Sequence, residues 1–224
     1  MRSVTSPGNN KGSSRPWWAA AVVLLLIGAG FFAVGIAAGG EPLAGPAAAS
    51  QVPPSATGNT APSTTPSAVV ARSVPVALRI PAIDVSVSLS TLGLNPDRTV
   101  QVPTRFQEPG WYRLGPTPGQ VGSAVILGHV DDKEGPAVFY RLKSLRAGDK
   151  VEVTLASGLV VHFVVTKVAT YLKAQFPARL VYASRGYSAP QLVTCGGQFD
   201  TRAGSYLSNV VVYTTLVSAT PAAG

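Results

Sequence analysis

Three textures follow one another along the chain. Residues 17–40 are 24 consecutive positions without a charge, mostly Ala, Val, Leu, Ile, Phe and Gly. As an α-helix at about 1.5 Å per residue this run is about 36 Å long, enough to cross a hydrocarbon layer of about 30 Å. It has no polar stripe, so it does not read as a core helix that keeps one face in water. Residues 41–73 are Pro, Ala, Ser and Thr with few large apolar side chains. Such a segment buries too little area to offset its ordering entropy and reads as a disordered linker. From residue 74 the pattern breaks into short β-branched or alternating runs at 74–80, 85–89, 99–102, 123–127, 150–155, 160–169, 191–195 and 210–216, the texture of strands. Turn sequences separate several of them, among them Asn95-Pro96-Asp97, Gly115-Pro116-Thr117-Pro118-Gly119 and Ala147-Gly148-Asp149. Apolar residues at 138, 139, 142 and 145, just after Pro136, predict a short helix over 137–145. Eight short strands with one or two short helices predict a mainly β fold, a closed or nearly closed β-barrel.

The expected organisation is therefore a basic flank at 1–16, a transmembrane signal-anchor helix at 17–40, a linker at 41–73, one domain at 74–217 and a tail at 218–224. Charge supplies the orientation. Arg2, Lys11 and Arg15 precede the apolar run, Trp17 and Trp18 stand at its edge, and Glu41 follows it. The positive-inside rule then puts the N-terminus in the cytoplasm, residues 17–40 in the lipid bilayer and the domain outside a cell membrane crossed once. A cleavable signal peptide competes with this reading, given the small-residue run Ala44-Gly45-Pro46-Ala47-Ala48-Ala49. The apolar stretch, however, exceeds the roughly 7 to 15 residues of a signal-peptide core. The net charge of +8 would otherwise suggest nucleic acid. Its basic residues are scattered and the compartment is wrong, so no nucleic-acid partner is expected and an anionic cell envelope suits the charge better.

Chemistry concentrates at two places. Cys195 is the only cysteine, so it is a small buried hydrophobe, half of an intermolecular bridge, or a reactive thiol. It stands in Gln191-Leu192-Val193-Thr194-Cys195-Gly196-Gly197, where the glycine pair is expected to end the strand and leave the sulfur uncovered. That context favours the reactive thiol. His129 follows the apolar run Ala124-Val125-Ile126-Leu127-Gly128 at a strand end. A thiolate together with a group that titrates near neutral pH is what acyl transfer needs. Spacing alone says nothing about their contact. No helix N-terminus or fixed cation is evident beside Cys195, so its thiol is expected at or above the ordinary cysteine value. His162, in an alternating strand on the face opposite Phe163, reads as structural. Asp131, Asp132 and Glu134 read as a solvated loop, with a weak calcium site as the lesser reading. No zinc spacing or phosphate loop is present, so neither cofactor nor metal is expected.

Arg79-Ile80-Pro81-Ala82-Ile83, Gly110-Trp111-Tyr112, Ile126-Leu127-Gly128-His129-Val130-Asp131, Gly135-Pro136-Ala137-Val138-Phe139 and Thr194-Cys195-Gly196-Gly197-Gln198-Phe199-Asp200 together resemble the class F sortases of actinobacteria. The resemblance covers about 74–217. It implies an eight-stranded sortase β-barrel and cysteine transpeptidase activity. By it, Cys195 attacks the sorting signal near the C-terminus of a secreted protein to form a thioester. His129 protonates the leaving amine, and an amine nucleophile of the cell wall or a pilin, or water, resolves the intermediate. The family also places a catalytic arginine near the start of the following strand. Here that stretch is Leu207-Ser208-Asn209, which leaves Arg202, in the preceding loop, as first choice or Asn209 as a neutral amide donor. Other readings of the domain are a binding module on a stalk, a structural envelope protein, and a cysteine peptidase that only hydrolyses.

Overall fold

The computed structural model describes residues 70–183 and 186–222. The predicted anchor at 17–40 and nearly all of the linker lie outside them. Among the described residues no helix is long and apolar enough to cross a membrane.

Nine strands form one mixed, nearly closed sheet: β1 (Pro75–Ile80), β2 (Val85–Ser88), β3 (Ser90–Leu92), β4 (Gly110–Tyr112), β5 (Val125–Leu127), β6 (Lys150–Leu155), β7 (Leu159–Leu172), β8 (Gln191–Asp200) and β9 (Ser205–Pro221). Their order is β2-β1-β6-β7-β9-β8-β5-β4-β3. Pairing is antiparallel except between β3 and β4 and between β5 and β8. Two of the nine, β3 and β4, lie outside the expected runs, being three residues each and too short for alternation to be read. Conversely, the expected strand at 99–102 contributes only a bridge between Leu94 and Val100. Its first residue is used by a turn, in which Asp97 accepts from the backbone N–H and hydroxyl of Thr99, and Val102 then leads into Pro103, which has no N–H to donate.

The alternation of the central strands explains the packing. Ile126, Leu192 and Val212 point into the barrel with Leu78, Phe139, Val151 and Phe163, while Val125, Leu127, Val193, Val211 and Tyr213 point to the other face and build a second apolar cluster. Strands β5, β8 and mid-β9 are thus buried on both faces, which is why their sequences read as continuous apolar runs. α1 (Ala178–Tyr182), a single turn of α-helix, places Val181 in this second cluster.

Two further expectations need correction. The segment 137–145 is not an α-helix. Its apolar spacing is real, with Val138, Phe139, Leu142 and Leu145 all buried, but it is a chain of turns ending in a 3-10 turn at Leu142–Ser144. Tyr140 and Leu142 donate three residues back, while Val138 and Phe139 donate across to Phe106 and His129. A nine-residue segment is too short to hold a helix against such tertiary bonds. The folded unit also begins before residue 74. Val70 is 4% exposed within the core, and the Arg72 guanidinium donates to the carbonyls of Gly115 and Arg113 while lying over the Trp111 ring. At the other end β9 continues to Pro221, opposite Leu159.

Candidate active site

The parallel register of β5 and β8 sets Val125, Ile126 and Leu127 beside Gln191, Leu192 and Val193. Gly128 continues the ladder by donating to the Val193 carbonyl at 3.1 Å. His129 therefore leaves its strand alongside the end of β8 where Cys195 stands. Gly128 is required by close approach, since a Cβ there would lie 2.4 Å from the Phe139 ring. On the other side of β8, Cys195 is directly opposite Asn209 of β9. His129, Cys195 and Asn209 line one open cleft, with Val102, Leu127 and Val193 as its apolar walls. Cys195 shares the parity of Val193, so the cleft is the exposed continuation of the second apolar cluster.

The imidazole is held from two sides. Its Nε2 lies 2.7 Å from the Pro103 carbonyl, which can only accept, so Nε2 carries a proton and Nδ1 is the nitrogen able to take one. The Phe106 ring packs at 4.6 Å, tilted by 47°. Cys195 is a free, half-buried thiol. Burial pushes its pKa up, Lys173 opposes that shift, and Asp131 adds to it. The upward direction agrees with the sequence reading, whereas the nearby cation at Lys173 was not foreseen. Asp131 accepts a hydrogen bond from the Tyr206 phenol, and that bond, with burial and then the carboxylate charge, pushes Tyr206 up to about 12. Asp132 is spent on the backbone N–H groups of Glu134 and Gly135.

The glycine pair does not end β8. Gly196 faces Ser208 and Phe199 faces Tyr206, so Gly197 and Gln198 stand opposite Leu207 alone. This is a bulge of one extra residue, and the φ of +81° at Gly197 is what permits it. The strand then runs on to Asp200. Arg202 lies in the turn beyond it, exposed, its backbone N–H donating to Asp200. Five strand residues at about 3.3 Å each separate the sulfur from that turn by roughly 16 Å. The structure therefore brings Asn209, and not Arg202, to the cleft. Asn209 is 2% exposed and its Oδ1 has no partner among the described residues. His162 is elsewhere, against Thr220 and Glu152.

The sortase domain family matches residues 78–217, well over half of the chain. The chain belongs to the sortase family. Sortases are cysteine transpeptidases that act on proteins bearing a sorting signal and on amine nucleophiles such as those of pilins. Among solved structures, sortase A of Listeria monocytogenes is similar at 17% identity and a TM-score of 0.52, over 68% of this chain and 92% of that one. A lid mutant of Corynebacterium diphtheriae sortase A is similar at 18% identity and a TM-score of 0.50, over 66% and 73%. At these identities the likeness speaks for the fold. No curated protein sequence matches the chain.

Proposed function

We propose that this sortase domain is a class F transpeptidase acting outside the cell, held to the membrane by residues 17–40 and spaced from it by the linker. The observation that carries the catalytic reading is the convergence of His129, Cys195 and Asn209 on one cleft. In this mechanism Cys195 attacks the carbonyl carbon of a sorting signal from the minor form in which its sulfur is ionised and His129 carries the proton. The C–S bond forms, the C–N bond breaks, and His129 returns the proton to the departing amine. A second amine, from the cell wall or a pilin, then attacks the thioester, regenerating the thiol as a new amide forms. Asn209 is the group opposite the sulfur, and its amide serves the carbonyl oxygen as negative charge develops there. Burial keeps the thiol protonated in the resting site, so the reactive ionised form is a minor species at neutral pH.

The test uses the full-length protein and peptides ending in the sorting signals of secreted proteins. Mass spectrometry should find an acyl group on Cys195 that an added amine converts to ligated product. Hydrolysis without ligation would mark a peptidase instead. A Cys195 that forms no thioester and resists thiol reagents at neutral pH would leave a binding or structural domain.

A further inference from the structure

Among the described residues lining the cleft none carries a fixed positive charge, His129 being charged only when it holds the proton taken from Cys195. The sulfur is half-buried, which disfavours a thiolate, and the loop after β5 brings the Asp131 carboxylate towards it, which disfavours it further. β9 contributes the neutral Asn209 opposite the sulfur and Tyr206, whose phenol is held on Asp131. The 102–109 loop brings Pro103 and Phe106 to His129, while its Arg105 pairs with Glu108. The bulge faces the uncharged Leu207, and Asp200 accepts bonds within its own turn.

One cation remains. Strands β7, β9 and β8 lie side by side in this region, with Tyr171 beside Asn209 and Asn209 beside Cys195. The next row begins with Leu172 beside Ser208. Lys173 follows at the end of β7, two positions beyond Tyr171, in a 3-10 turn that packs against β9. It is half-buried and, among the described residues, has no ion-pair partner. We infer that Lys173 is the charge-positioning residue of this site, its unpaired ammonium balancing the negative charge that forms on the Cys195 sulfur during acyl transfer. Its influence on the thiol runs in the required direction, opposing both burial and Asp131. Lys173 moves no proton. It acts through the sulfur, leaving proton transfer to His129. The inference builds on the proposed thioester chemistry, but its electrostatic part can be read from the thiol alone.

The experiment compares alkylation of Cys195 by neutral iodoacetamide and anionic iodoacetate, against pH, in the full-length protein and in its Lys173→Gln, Lys173→Met, Lys173→Arg and Lys143→Gln variants. Losing the ammonium should slow iodoacetamide about threefold to tenfold at pH 7 and move its profile to higher pH, with a further threefold fall in the iodoacetate-to-iodoacetamide ratio. Lys173→Arg should restore both, and Lys143→Gln, a change of equal charge elsewhere, should alter neither. An unchanged ratio and profile in both Lys173→Gln and Lys173→Met, or an equal fall in Lys143→Gln, would overturn the assignment. If the ratio falls as expected while no sorting peptide acylates Cys195, Lys173 keeps its assignment and the transpeptidase reading is what fails.

Discussion

Strands β5, β8 and β9 each present two unlike faces, and the difference shows how this domain separates stability from chemistry. Towards the barrel, Ile126, Leu192 and Val212 are fully buried among apolar neighbours. On the opposite face Leu127, Val193 and Val211 begin in the same way, but the row runs out to Cys195 and Asn209 at the cleft. One face continues as closed packing, and the other opens after two or three residues into a site with a half-buried sulfur and an unpartnered amide oxygen. Changes on the first face should therefore act on stability, and changes at the end of the second on turnover.

The largest effect expected is that of Cys195→Ala. Acyl transfer should be lost while the melting temperature stays within a few degrees, because one sulfur at the cleft's edge contributes on the order of 1 kcal/mol of burial. A variant keeping a tenth of the activity would remove Cys195 as nucleophile. Asn209→Leu sharpens the contrast further. It exchanges an amide with an unpartnered buried oxygen for an apolar side chain of similar size, so stability should hold or rise by about 1 kcal/mol. Transfer should nevertheless fall about 100-fold, and steady-state rates beside a thermal melt would show whether the two properties part in this way.

On the barrel face the expectation reverses. Ile126→Ala should lower unfolding free energy by about 3 kcal/mol in a denaturant titration, the usual scale for emptying a closed core, with alkylation of Cys195 unaltered while the protein is folded. Loss of site reactivity without loss of stability would mean that the two faces are coupled. The smallest effect concerns the start of the domain. A fragment beginning at Val74 should be less stable than one beginning at Val70 by about 1.5 kcal/mol, the burial of one valine, since Val70 packs in the core and Arg72 ties the segment to Gly115 and Arg113. Equal melting temperatures would return residues 70–73 to the linker.

Much of this was legible in the residues themselves. The apolar runs at 123–127, 191–195 and 210–216 each hold a strand because their side chains meet a core on both faces, a property that each run carries locally. Cys195 could be singled out as the only thiol, and His129 by its position after an apolar run and a glycine. Apolar spacing puts the 3-10 turn at Leu142–Ser144 in a helix because it reports only which residues are buried, whereas hydrogen bonds to Phe106 and His129 decide the backbone. Composition puts the linker boundary too late because nothing in 70–73 shows that Val70 packs into the core.

The sequence by itself determined the β texture, the thiol and the histidine, since periodicity and residue type are properties of short stretches. Only the tertiary structure decided who meets Cys195. Whether Asn209 or Arg202 faces the sulfur depends on the β8–β9 register and on one extra residue at Gly197, and the presence of Lys173 depends on β7 lying along the far side of β9. Such neighbours are set by pairings between distant segments, and a one-residue shift in any of them would turn the same side chains to the other face.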